Sequence, residues 1–145
     1  METLGSLIDK LTIVGLKQYH NNDLSDGFDR EKAKRLKDQS DDLIGEINQY
    51  VADAISGKIP STHMVIPANK IHNLIGVDVS TGSIGKQVEF LADTNSHIWH
   101  LQEFINGCRE SSQPPKTILT EIGVLNMKRN AYIEGIDRKF VEMLK

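Results

Sequence analysis

The sequence predicts an all-α protein: a four-helix bundle built from two tandem antiparallel helical hairpins, joined by a crossover loop of about 25 residues. Two observations carry this. Four segments place apolar residues at spacings of three and four, the period of a helix buried along one face, while strand-like alternation is scarce. The segments also overlay in pairs, as if one hairpin had been written twice.

The first helix runs from Thr3, a hydroxyl able to cap free amides, to about His20. Leu4, Leu7, Ile8, Leu11, Gly15 and Tyr19 mark one side of it. "NNDLSDGF" interrupts the pattern. The second helix starts near Asp29 and ends before Gly57, with Ala33, Leu36, Leu43, Ile44, Ile47, Val51 and Ile55 in register. Gly57 and Pro60 are stop signals. This gives a first hairpin over about 3–57 and a crossover over 58–82. Within the crossover, Pro67 opens a short helix through Ile75, or "HMVIP" runs extended; the pattern leaves both open. The third helix spans about Ser83 to Asn106. The fourth follows "SSQPP", has Pro115 near its first turn and continues to the C-terminus. The second hairpin therefore covers about 83–144, and the whole chain, 1–145, reads as one domain.

A shift of 80 lays helix one on helix three: Ile8 on Val88, Leu11 on Leu91, and Tyr19-His20 on Trp99-His100. A shift of 89 lays helix two on helix four, with Leu36 on Leu125 and Ile47 on Ile136. Each hairpin alone would leave an apolar stripe in water, so two must pack together.

Composition narrows the function classes. Hydrophobic content of 39% and charged content of 26% are those of a globular chain. A net charge of −3 gives no electrostatic reason to expect nucleic acid, whose binders usually carry a basic face. Cys108 has no second cysteine to pair with, which fits a reducing compartment. Glu2 and Asp9 interrupt what would have to be a basic, then apolar, secretory leader, and no apolar run approaches a membrane span. The expectation is a cytoplasmic protein. Nucleotide-binding glycine motifs are absent, "STGSIGK" having the wrong spacing, and no cofactor is expected.

"NSHIWHLQE" raises the question of a metal site. At roughly 100° per residue, Ile84, Val88, Leu91, Asn95, Ile98, Gln102 and Ile105 share a face, whereas Glu89, Asp93, His97 and His100 lie roughly opposite. Carboxylate-bridged bundles use an inward Glu-x-x-His, and here Lys17, Pro60, Asn69, Thr94 and His97 stand three residues before the histidines. His97 and His100 are thus only weak metal candidates on a solvated stripe.

The inward polar residues are more informative. Ile118, Ile122, Leu125, Ile136, Phe140 and Met143 define the stripe of helix four; Arg129 falls within it and Asn126 at its edge. A turn between Asn106 and Pro115 brings Asn95 level with Asn126 to Arg129. An inward guanidinium needs an acid. Asp9 on helix one is the first choice and Asp93 the second. Such a layer fixes helix register; alternatively Arg129, Asn126, Asn95 and Asp9 form a pocket for a small anion. Helix one also carries Ile13 and Leu16 away from its main stripe, which points to a homodimer through that helix.

"LADTNSHIWHLQEFI", followed 27 residues after Trp99 by "NMKRNAYIEGIDRKF", resembles an uncharacterised bacterial domain-of-unknown-function family of all-helical proteins. The shared pattern is an N-x-x-x-W-H-L-E-D helix and then an N-x-x-R-x-x-x-[IV]-E-x-I-D helix. Asn95, Trp99, His100, Asn126, Arg129, Glu134, Ile136 and Asp137 match it, while Gln102 and Glu103 stand where the pattern has Glu-Asp. The resemblance covers about residues 88–140 and implies helices and an importance for Arg129, but no reaction. Members are often encoded beside sugar-transfer enzymes of cell-surface polysaccharide synthesis, which implies an accessory role. The expected function is that of a self-associating interaction or accessory bundle without catalysis of its own.

Overall fold

The computed structural model describes residues 2–22, 27–66, 82–108 and 115–145. Four α-helices make up the fold: α1 (Leu4–Asn21), α2 (Arg30–Ile55), α3 (Ile84–Gly107) and α4 (Lys116–Leu144), with one 3-10 turn at Ser61–His63. The short helix considered for Pro67 to Ile75 lies outside the described residues.

Local chemistry sets the helix starts. Thr3 Oγ accepts from the Ser6 amide while Ser6 Oγ accepts from the Thr3 amide at 2.9 Å, a reciprocal cap. Asp29 caps α2 through the Lys32 amide at 3.1 Å, and Ser83 caps α3 through the Lys86 amide at 3.2 Å. Pro115, which has no amide hydrogen to leave unpaired, precedes α4.

Side-chain meetings fix the directions. Gln87 abuts Gly135, Phe90 stacks near Tyr132 at 5.4 Å and His97 lies 3.2 Å from Glu121, so α3 and α4 run antiparallel. Gly5 meets Ile133 and Asp137, and Asp9 meets Arg129, so α1 opposes α4 as well. Asp9 meets Asn95 and His20 meets Trp99, which makes α1 parallel to α3. α1 packs on all three other helices, whereas α2 packs chiefly on α1 and has no comparable contact with α3 or α4. The two overlaid halves are therefore not equivalent in space: α4 packs on α1, yet α2 has no such packing on α3.

The core gathers at one end. Leu4 and Leu7, Tyr50 and Ala54, Met64, Leu91, and Ile136 and Phe140 form one cluster where α1 begins and α4 finishes. Two glycines permit the close approach there. A Cβ at Gly5 would run into the Ile133 carbonyl oxygen, and one at Gly135 would come within 2.7 Å of Gln87 Oε1. Glycine brings the backbones together where a side chain would hold them apart.

Some residues assigned to the core by periodicity lie outside it. Gly15 is exposed, and Tyr19 is 71% and Met143 69% exposed, because helix ends overrun their neighbours. Ile44 and Ile55 of α2 are also exposed, since that helix packs chiefly on α1. Gln102, placed on the inner face of α3, is exposed. No helix among the described residues is long and apolar enough to cross a membrane.

Candidate functional site

The polar residues of the bundle fall into three clusters strung along α1. The middle one contains the layer expected from the sequence. Asp9, buried on α1, accepts from Arg129 Nε at 2.8 Å through Oδ1 and from Arg129 Nη2 at 2.6 Å through Oδ2. Asn95 Nδ2 also donates to Asp9 Oδ1 at 2.9 Å and reaches Thr12 Oγ1 at 2.9 Å. A side-on, two-point guanidinium pair is the strongest geometry available to a carboxylate. Bonding to Asp9 accordingly holds Arg129 above its ordinary pKa, against the opposing effect of burial. The Arg129 side chain keeps 31% of its surface exposed while that of Asp9 keeps 6%, so the arginine reaches in from the rim.

Asn126 does not join this layer. It is exposed, three residues before Arg129, where the turn of α4 carries it outward. Asp93, the second-choice acid, is exposed too. In the pocket sketched from Arg129, Asn126, Asn95 and Asp9, the Asp9 carboxylate takes the Nε and one Nη2 hydrogen of Arg129, the side-on edge of the guanidinium.

The second cluster lies at the start of α1; the sequence reading names its Glu134 and Asp137 as matches to the family pattern and gives them no structural part. Asp137 is wholly buried, and its Oδ1 accepts from the Gly5 amide at 2.7 Å, so α4 supplies an acid to the first turn of α1. That turn has no acidic residue of its own. The carboxylate meets the positive end of the helix dipole there. Burial nevertheless pushes the Asp137 carboxyl up to about 6, with Glu134 adding to the rise and the Gly5 amide, the Thr3 hydroxyl and the Ile66 backbone opposing it. Glu134, one turn earlier and equally buried, is 3.0 Å from Arg138 Nη2. The signal was available: Glu134-x-x-Asp137 puts two carboxylates beside Ile133, Ile136 and Phe140 on an otherwise apolar stripe.

The third cluster sits where α1 and α3 end and α2 begins. The His20 ring stacks on Trp99 with centroids 4.7 Å apart and planes 10° from parallel, and the edge of His100 meets it at 6.1 Å. Trp99 Nε1 donates to Glu103 Oε1, which also lies 3.5 Å from His20 Nδ1. Beside this stack opens a cleft of about 640 Å³ lined by Lys17, His20, Asn21, Asp29, Lys32, Trp99, Glu103 and Asn106 among others. The overlay of Tyr19-His20 on Trp99-His100 was the only hint that these dipeptides share a level.

His97 and His100 are both exposed, as expected of the outer stripe, but they diverge. His97 turns to Glu121 on α4 and His100 to His20 on α1. Among the described residues no group of three or more His, Cys, Asp or Glu side chains converges to hold a metal ion.

Ile13 and Leu16 are each partly buried. Ile13, with Val14 and Leu43, lines a groove of about 360 Å³ between α1 and α2, edged by Lys10 and Lys17 on one side and Gln39, Asp42 and Glu46 on the other.

No protein-family model matches the chain, and neither a curated protein nor a solved structure matches it.

Proposed function

We propose that the protein is a self-associating, non-catalytic interaction bundle of the cytoplasm, pairing through the α1–α2 face. The observation that carries this reading is the groove at Ile13. Its floor is apolar and its two edges are of opposite charge, Lys10 and Lys17 along α1 against Asp42 and Glu46 along α2. A two-fold axis parallel to the groove lays the basic edge of each copy over the acidic edge of the other. One surface then serves both partners, as an isologous dimer requires. The closure of Arg129 by Asp9 favours a structural part for the mid-bundle layer over an anion pocket. The resemblance of the α3 and α4 motifs to a family whose gene neighbourhood suggests an accessory role is in keeping with this reading.

Light scattering on the eluting protein tests the reading. Wild type is expected at about twice 16.2 kDa, and Ile13→Glu at the single-chain mass. Glu46→Lys weakens association and adding Lys10→Glu restores it. A wild-type species at 16.2 kDa at high micromolar concentration contradicts the proposal.

A further inference from the structure

The cleft beside the His20–Trp99 stack shares Lys17 with the α1–α2 groove, but its ring stack and Lys32 belong neither to that face nor to the mid-bundle layer. Its volume, about 640 Å³, lies within the range of small-molecule sites. Its carboxylates are already engaged within the protein. Glu103 accepts from the Trp99 indole and lies against His20, and Asp29 caps α2 by accepting from the Lys32 amide. The side-chain amide of Asn21 is committed as well, donating to the Asp29 carbonyl at 3.0 Å. The ammonium groups of Lys17 and Lys32, by contrast, have no ion-pair partner among the described residues. Among the described residues the two ammonium groups are unengaged, while each carboxylate of the cleft is engaged through one oxygen, Glu103 by Oε1 and Asp29 by Oδ1. The proximity of Glu103 to Nδ1 also leaves Nε2 as the uncommitted nitrogen of His20. The indole–imidazole stack adds a flat, partly apolar wall against which an organic body can lie.

We infer that this cleft binds a small anion, a carboxylate or a phosphate, held by Lys17 and Lys32 beside the stacked rings. The chain contains a single tryptophan, Trp99, so its emission reports the site alone. Full-length protein is titrated with sodium benzoate and, separately, with inorganic phosphate, each against sodium chloride at matched ionic strength. At least one anion should give a saturable change in Trp99 emission that chloride does not give. Phosphate alone identifies a phosphoryl site; benzoate alone identifies a carboxylate site with ring contact. Lys32→Gln is expected to weaken the Kd about tenfold, Lys17→Gln similarly, and Lys86→Gln on the far end of α3 not at all. The inference is overturned by emission that follows chloride for both anions, or by a saturable change that neither cleft lysine affects.

Discussion

The two ends of the bundle are made by the same four helices and are built to opposite rules. At the end where α1 begins, Leu4, Leu7, Leu91, Ile136 and Phe140 are buried together and even the acid there, Asp137, is bonded to a backbone amide. At the end where α1 finishes, Tyr19, Phe28, Phe104 and Leu119 are half or more exposed, as Ile55 and Met143 are at the rim of the first end, and a polar cleft opens beside Trp99. Asp9 and Arg129 stand between them. Polar groups on one helix thus take different parts according to whether their neighbours use up their hydrogen bonds. Apolar burial carries the stability of one end, where Asp137 Oδ2 and Tyr50 Oη are buried without a hydrogen-bond partner among the described residues, and the other, with less to hold it, is where binding can evolve at least cost.

That contrast can be broken most severely at the boundary. Arg129→Ala strands the buried Asp9 carboxylate with only Asn95 to satisfy it. Removing one partner of such a pair costs about 3 kcal/mol, somewhat reduced because the guanidinium is partly wet. Urea titration should show the loss as a lower midpoint. Next comes Gly5→Ala, which pushes α1 off the Ile133 carbonyl and disturbs the Asp137 bond; overpacking of this kind costs about 2 kcal/mol. A melting temperature within a degree of wild type would show that the closed end is less tightly built than described.

Asp137 sharpens the comparison through pH. Its carboxyl sits at about 6 in the fold against an ordinary 3.8, so it binds a proton more tightly folded than unfolded. Its contribution is fully present below pH 3.8 and is lost as pH rises through 6. Asp137→Asn keeps an acceptor for Gly5 and does not titrate. Relative to wild type it should therefore gain on the order of 2–3 kcal/mol between pH 3.5 and 7.5, a shift of about two pKa units. Stability curves of the two proteins that stay parallel across that range contradict the burial argument. The smallest effect belongs to the open end: His20→Ala removes a ring stack worth about 1 kcal/mol or less and leaves the fold intact, while shifting Trp99 emission.

How much of this was legible before the fold was known follows from the range of each interaction. Helix starts were readable because Thr3, Asp29 and Ser83 act on amides three residues away. The partnership of Asp9 with Arg129 was readable because a guanidinium on an apolar stripe requires an acid, and α1 offers one on its inner side. Asn126 was misplaced by a modest angle on the same helix, enough to put it outside. The His20–Trp99–Glu103 cluster depends on α1 and α3 lying parallel at matched height, which no local pattern specifies. The part of Asp137 depends likewise on Gly5 letting α1 come within bonding distance of α4.

The account rests above all on the carboxylate of α1 and the guanidinium of α4 being energetically one unit. A double-mutant cycle of Asp9→Asn and Arg129→Leu, read from urea unfolding at neutral pH, measures that directly. A coupling energy of about 2 kcal/mol or more is expected from a two-point charged pair so largely withdrawn from water. Additive single-variant losses, with coupling near zero, would mean that the two groups merely lie side by side and that the layer holds nothing together.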